Sequence, residues 1–166
     1  MVTSGLPYIW PTFSRTLLVM LMFIGACAGS TGGGIKVSRL MIFFKNMHNE
    51  IRIMTHPRQV KKVRLDGHQV EGDVIRAVNV YFACYIMIFA VSMIVLSVDH
   101  LDLTTNFTAV AATINNIGPG LDLVGPTSNY DVFSTLPKCV LIFDMLAGRL
   151  ELFPIVLLLS PATWKK

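Results

Sequence analysis

Residues 78–98, VNVYFACYIMIFAVSMIVLSV, form a run of 21 positions without a single charge. At 1.5 Å per residue, a helix of about 20 residues crosses a hydrocarbon core of about 30 Å, so the run reads as a transmembrane helix. Of the chain's 166 residues only 14% are charged and 53% are hydrophobic, against roughly 25% charged in an ordinary soluble domain. The apolar residues fall into separate runs, divided by one basic stretch and one acidic, Gly/Pro-rich stretch, which extends the membrane reading to the whole chain. That apolar content excludes a disordered chain. Three cysteines, Cys27, Cys84 and Cys139, all lie inside apolar runs and read as small buried hydrophobes rather than a disulfide framework. The formal charge of +4 sits beside membrane runs without interleaved aromatics, which argues for topology and against nucleic acid. The first ten residues lack the basic start and small-residue cleavage site of a signal peptide.

Two further runs are long enough to enter the bilayer. Residues 139–161 could span it, although they carry Asp144, Arg149 and Glu151, and the Trp164-Lys165-Lys166 end resembles an interfacial anchor. Residues 16–44 are interrupted by Gly29-Ser30-Thr31-Gly32-Gly33-Gly34. Each interior glycine costs about 1 kcal/mol relative to Ala, so a helix broken in its middle is expected. Nine Lys or Arg lie between Lys36 and Arg76, and none between Asp99 and Pro137, where Asp99, Asp102, Asp122 and Asp131 stand instead. By the positive-inside rule the first stretch is cytoplasmic and the second external. Within the cytoplasmic stretch, Asp66-Gly67 between Val63, Leu65 and Val70 predicts a tight hairpin.

The external stretch holds more than a loop. Residues 104–114, TTNFTAVAATI, are Ala-rich, apolar and half the length of a span, and Asn115-Asn116-Ile117-Gly118-Pro119-Gly120 follow. A short helix, a Gly-containing turn and a return to the same side describe a re-entrant pore loop. Extended backbone at membrane depth can satisfy its carbonyls by replacing a cation's hydration shell. Gly118 would allow backbone conformations closed to other residues and place no side chain beside the ion. The half-helix would also point its partially negative C-terminal end toward the path. The same residues read as an ordinary external turn, since Asn, Gly and Pro make turns everywhere.

The glycine run at 29–34 is not a phosphate loop, because Ile35 precedes Lys36 and both flanks are membrane-type. It reads either as a kink or helix-packing device, or as a non-helical gate beside an ion path. Arg149, midway along its apolar run, must face protein or water; Asp144 and Glu151 are the nearby partners in sequence. His48, His56 and His68 form no metal-site spacing with Cys27, and no nucleophile, base and orienting acid share a plausible pocket, so no enzyme is expected. The sequon Asn106-Phe107-Thr108 falls in the half-helix, where glycosylation is not expected.

Four stretches, FIGACAGSTGGGIKVSRL at 23–40, HPRQVKKVRLDG at 56–67, TINNIGPGL at 113–121 and MLAGRLELFPIVLLLSPATWKK at 145–166, resemble the C-terminal part of the TrkH-type membrane subunit of the Trk/Ktr potassium-uptake family. The resemblance covers most of the chain. It implies a fold of four pseudo-repeated helix–pore loop–helix units around one potassium path. It implies that Thr113, Ile114, Asn115, Asn116, Ile117 and Gly118, within 113–120, form the filter segment of the fourth unit. Ala26, Cys27, Ala28, Gly29, Ser30, Thr31, Gly32, Gly33 and Gly34 would be the intramembrane gating loop in the second helix of the third unit, with Arg149 near it beneath the filter. It further implies a homodimer in the inner cell membrane, crossing it several times, with a TrkA-type cytosolic nucleotide-binding regulatory subunit. Potassium would be the transported ion, held by backbone carbonyls, with no bound cofactor.

The resulting expectation is an all-α membrane protein: a broken transmembrane helix over 1–46, a cytoplasmic connector over 47–76 and a helix–pore loop–helix unit over 77–166. One filter segment cannot surround a cation, so the chain reads as a fragment that works only with the remaining pore units. The competing reading is a small non-conducting membrane subunit or assembly factor that keeps the pore fold; a soluble phosphotransfer enzyme is disfavoured by hydropathy. The basic asymmetry makes a direct prediction. A cysteine introduced at Lys62 is labelled from the cytoplasmic side only, and labelling from outside intact cells would overturn the topology.

Overall fold

A computed structural model describes residues 11–25, 33–56, 64–65 and 68–150. Five helices carry the fold: α1 (Thr12–Met22), α2 (Val37–Thr55), α3 (Gly72–Leu96), α4 (Leu103–Ile114) and α5 (Thr135–Leu150). A hairpin of two two-residue strands, β1 (Arg64–Leu65) and β2 (His68–Gln69), lies between α2 and α3. Its register pairs Arg64 with Gln69 and Leu65 with His68, so the strands bracket the predicted Asp66-Gly67 turn, whose own residues lie outside the described ones.

Among the described residues, the helix beginning at Gly72 is the one long and apolar enough to cross a membrane. It starts before the uncharged run, at Gly72 rather than Val78, with Asp73 in its first turn where the helix dipole favours an anion. Its buried residues, Val78, Tyr81, Tyr85, Ser92 and Leu96, recur at helical spacing on one face. Three of the five carry hydroxyls. The opposite face exposes Ile86, Met87, Val91 and Ile94 at 53–70%, a surface that a water-soluble monomer avoids and that a bilayer or further apolar units would cover.

The chain turns through a 3-10 segment, Ser97–Asp99, and His100 in the left-handed region, then enters α4. Asp102 caps α4 by accepting a hydrogen bond from the Thr104 N–H at 3.0 Å, satisfying one of the free donors of a helix N-terminus. At 12 residues α4 is about 18 Å long, roughly half a span. Every residue from Thr108 to Ile114 is buried. Thr108 and Thr113 turn their hydroxyls back onto the carbonyls of Thr104 and Ala109, at 2.8 and 2.9 Å, so neither leaves an unpaired donor in the core.

The helices α3 and α5 flank α4 at two levels. Near its start, Ala109 and Val110 pack with Leu96, Val124, Phe133 and Leu141; near its end, Ile114 packs with Ile35, Tyr81, Tyr85 and Ala147. The piece before α2 is tied in by Phe23, whose ring meets Phe89 at 5.9 Å and Phe107 at 6.0 Å, and by an ion pair of 3.2 Å between Arg15 and Asp122. Between α1 and α2 the helix is interrupted as expected, and the Gly25 N–H donates to the Ile35 carbonyl at 2.9 Å across the break.

Several expectations change at the helix ends and in the pairing. α5 begins at Thr135, not Cys139, because Pro137 is tolerated in a first turn, and α2 runs to Thr55, past the last apolar stretch. Charge marks where a helix leaves hydrocarbon, not where its hydrogen bonding stops. Asp144 does not pair with Arg149 among the described residues. Its carboxylate is fully buried and accepts a hydrogen bond of 2.9 Å from Ser92 of α3 instead. Cys139 is exposed and Cys84 half-buried, so neither is the buried hydrophobe expected, and Cys27 lies outside the described residues.

Candidate functional site

The half-helix α4 ends in a Schellman motif. Asn116 occupies the left-handed position at φ 54°, its N–H bonds the Thr113 carbonyl at 3.0 Å, and the Ile117 N–H reaches back to Ala112 at 2.9 Å. Asn tolerates that conformation better than any other residue with a side chain of its size. Two of the helix's last carbonyls are thereby satisfied. The next four, on Ile114, Asn115, Asn116 and Ile117, receive no hydrogen bond among the described residues. Gly118 follows at φ +103°, in the region that disfavours side chains, and its carbonyl accepts a hydrogen bond of 2.6 Å from the Tyr130 hydroxyl. Burial pushes the Tyr130 hydroxyl above the ordinary phenol range, so it stays protonated and remains a donor across physiological pH. Ile117, Gly118 and Pro119 are exposed.

Side chains of the segment turn inward. Thr113 and Ile114 are buried, and Asn115, at 5% exposure, donates to the Ala111 carbonyl at 2.9 Å while accepting from Tyr85 at 3.1 Å. Asn116 donates to the Met145 carbonyl of α5 at 3.1 Å. Of the predicted filter residues, Asn115, Asn116 and Ile117 therefore have backbone carbonyls, rather than side chains, without a hydrogen-bond partner among the described residues.

Three glycines close around the two asparagines. A Cβ on Gly34 would come within 2.6 Å of the Asn115 amide oxygen, and one on Gly33 within 2.7 Å of the Asn116 amide nitrogen. A Cβ on Gly148 of α5 would overlap the Ile114 carbonyl. Gly34 also has φ +81°, and its carbonyl accepts a long bond of 3.4 Å from Tyr81, whose ring carries Arg39 at 4.4 Å. The structure thus brings the end of the predicted gating loop, Gly33 and Gly34, against the predicted filter end, Asn115 and Asn116. Ala26, Cys27, Ala28, Gly29, Ser30, Thr31 and Gly32 lie outside the described residues, as does Glu151. Arg149 follows Gly148 directly, which puts its backbone near the end of α4, and its side chain is exposed. No cluster of metal-ligating side chains occurs among the described residues.

Tyr81, Tyr85, Tyr130 and Gly148 were not singled out by sequence reasoning. A signal existed for the first two: they stand four residues apart, on one face of the uncharged run at 78–98. Gly148 offered only the small pair Ala147-Gly148 inside a membrane run.

A family model described as TrkH, cation transport protein, matches residues 8–166. The chain belongs to the TrkH family. Its relatives include the Trk system potassium uptake protein TrkH of Escherichia coli strain K12, 38% identical over 157 residues, which are 95% of this chain and 32% of that protein. The Vibrio parahaemolyticus TrkH is 40% identical over 94% of the chain and 32% of its own length. The chain thus spans about a third of the curated relatives it matches. Its fold superposes on the crystal structure of the potassium transporter TrkH from Vibrio parahaemolyticus with a TM-score of 0.81 and 39% identity, covering 94% of this chain and 33% of that one. The all-α membrane architecture read from the sequence is that of this family.

Gly148→Ala provides the sharpest test of the packing. On an open helix the change would stabilise by about 1 kcal/mol. Here the added methyl meets the Ile114 carbonyl, and overpacking of this kind costs about 1–3 kcal/mol. The expected outcome is a lower melting temperature and less folded protein in detergent, and a rise in melting temperature would refute the close approach.

Proposed function

We propose that this chain supplies one filter segment and one gate of a potassium-uptake transporter of the inner cell membrane, a multi-pass protein acting together with its remaining pore units. The observation that carries the reading is the run of backbone carbonyls on Asn115, Asn116 and Ile117 that receive no hydrogen bond among the described residues, leading into Gly118 at the end of a buried half-helix. Carbonyls without donors at membrane depth are costly unless a cation takes the place of the missing partners. The negative end of α4 lies at the same point and favours a cation there. A potassium ion sheds water, is held by carbonyls from several such segments, and leaves because no single segment binds it tightly. Potassium is cargo in this scheme, and the chemistry calls for no cofactor and no catalytic residue.

The contact of Gly33 and Gly34 with Asn115 and Asn116 supports the gating role of residues 26–34, with Arg149 as the charge near the loop. The assembly proposed is a homodimer whose basic segment 45–64 faces a TrkA-type cytosolic regulatory subunit. The division into residues 1–46, 47–76 and 77–166 stands as the proposed unit structure, with α2 and α3 reaching into the connector from both sides.

Two experiments test the reading in the complete transporter containing this chain, expressed in cells without other potassium uptake. Gly118→Ser forces a side chain onto φ +103°, a strain of about 1–3 kcal/mol that relaxes by moving neighbouring carbonyls. Potassium preference over sodium should fall about tenfold, equivalent to about 1.4 kcal/mol. An unchanged preference would remove the filter assignment and favour a non-conducting subunit. For the gate, deleting two residues within 29–32, or Arg149→Ala, should raise flux per transporter in the membrane severalfold and weaken its dependence on the regulatory subunit, because closed-state contacts are lost. Normalised flux that rises in neither variant counts against the gate.

A further inference from the structure

The Gly118 carbonyl belongs to the Gly118–Pro119 peptide, whose nitrogen bears no hydrogen, so the carbonyl is the only polar handle on that peptide. Gly118 has no side chain to pack, and even a Cβ there would meet nothing within 4 Å. A cavity of about 450 Å³ borders the segment, lined by Ile117, Gly118, Tyr130, Leu141 and Met145 among others. Pro119 fixes its own φ, so the tilt of this carbonyl is set by ψ of Gly118, an angle that no side chain restrains. Its single donor among the described residues is the Tyr130 hydroxyl, at 2.6 Å.

Tyr130 is itself held firmly. It opens a 3-10 turn, Tyr130–Val132, capped by Asn129, whose side chain accepts from the Asp131 N–H at 3.2 Å. Its ring stacks on Phe133 at 6.3 Å and 25°, and Phe133 is 2% exposed in the cluster with Leu96, Val110 and Leu141. Asp131, the next residue, pairs with Lys138 of α5 at 3.1 Å. The hydroxyl is aimed by the core of the unit rather than by a loose loop.

We infer that Tyr130 is a positioning residue for ion discrimination: its hydroxyl orients the Gly118 carbonyl from one lone pair and leaves the other for the ion. This rests on the filter reading above. A carbonyl has two acceptor sites, so the hydroxyl and a cation can share it. Without the hydroxyl, ψ of Gly118 is less restrained, the carbonyl tilts over a wider range, and the spacing of carbonyls that separates potassium from a smaller ion is relaxed.

The test is Tyr130→Phe in the complete transporter, which keeps the ring stack and removes only the donor, with Gly118→Ser measured alongside. Potassium and sodium uptake are each normalised to transporter in the membrane. The expected result is an unchanged amount of protein and an about two- to tenfold fall in potassium preference, the range of one ordinary hydrogen bond. Phe133→Leu, which keeps the hydroxyl but loosens its support, should shift preference in the same direction and less. If Gly118→Ser alters preference and Tyr130→Phe does not, the inference is overturned while the filter reading stands. If neither variant alters it, the filter reading fails and the inference falls with it. A Tyr130→Phe protein that does not accumulate, together with unchanged preference in Phe133→Leu, assigns the tyrosine to folding and also overturns it.

Discussion

A helix that stops halfway across a hydrocarbon layer leaves its final carbonyls, and the backbone beyond them, beyond the reach of water. The arrangement around α4 follows from how those groups are dealt with. Ala112 and Thr113 are capped through the left-handed Asn116, and Gly118 is capped by Tyr130. Between them, the Ile114 carbonyl packs against Gly148, and those of Asn115, Asn116 and Ile117 receive no hydrogen bond among the described residues as the chain passes from a buried to an exposed stretch. A unit with no use for unpaired carbonyls could have continued the helix or closed the turn sooner, as short external connections do.

Keeping such an end rigid calls for close backbone approach, and small residues supply it. Gly33, Gly34 and Gly148 come from two segments far apart in sequence and meet at Ile114, Asn115 and Asn116. The amide side chains then do what the main chain cannot. Asn116 bonds α5 through the Met145 carbonyl, and Asn115 bonds α3 through Tyr85. From Val80 to Leu96 the polar side chains of α3, Tyr81, Tyr85 and Ser92, lie on the inward face and the outward residues are apolar, the reverse of a soluble helix. Ser92 and Asp144 extend this polar seam, with one carboxylate oxygen of Asp144 lacking a partner among the described residues.

What could be read from the sequence was whatever depends on local length and pattern. The span at 78–98, the half-length helix after Asp102, the glycine interruption and the Asp66-Gly67 hairpin all rest on residues within a few positions of one another. What escaped depends on partners far along the chain. Asn116 looks like a turn residue until Met145 is brought to it, 29 positions away. Arg149 and Asp144 are neighbours in sequence, yet Ser92, 52 positions from Asp144, takes the carboxylate. Tyr130 sits in an acidic stretch of sequence with nothing local to connect it to Gly118. Cys139, in an apolar run, was read as buried because hydropathy alone does not separate a protein-facing from a lipid-facing position.

The two readings of the glycine run, packing device and gate, are compatible once its residues are considered singly. Gly33 and Gly34 are required by packing, since a methyl on either collides with an asparagine side chain. A substitution there would disturb Asn115 and Asn116 whether or not the loop moves, and so would say little about gating. The same contact also gives a closed state something to lose: a loop that moves aside gives up its fit against Asn115 and Asn116, and a ligand or subunit can control that step only through such differential contacts. Positions 29–32 lie outside the described residues. A change in the length of the run there leaves the packing glycines Gly33 and Gly34 in place, so an effect on flux would separate a gate from a kink within one short stretch of chain.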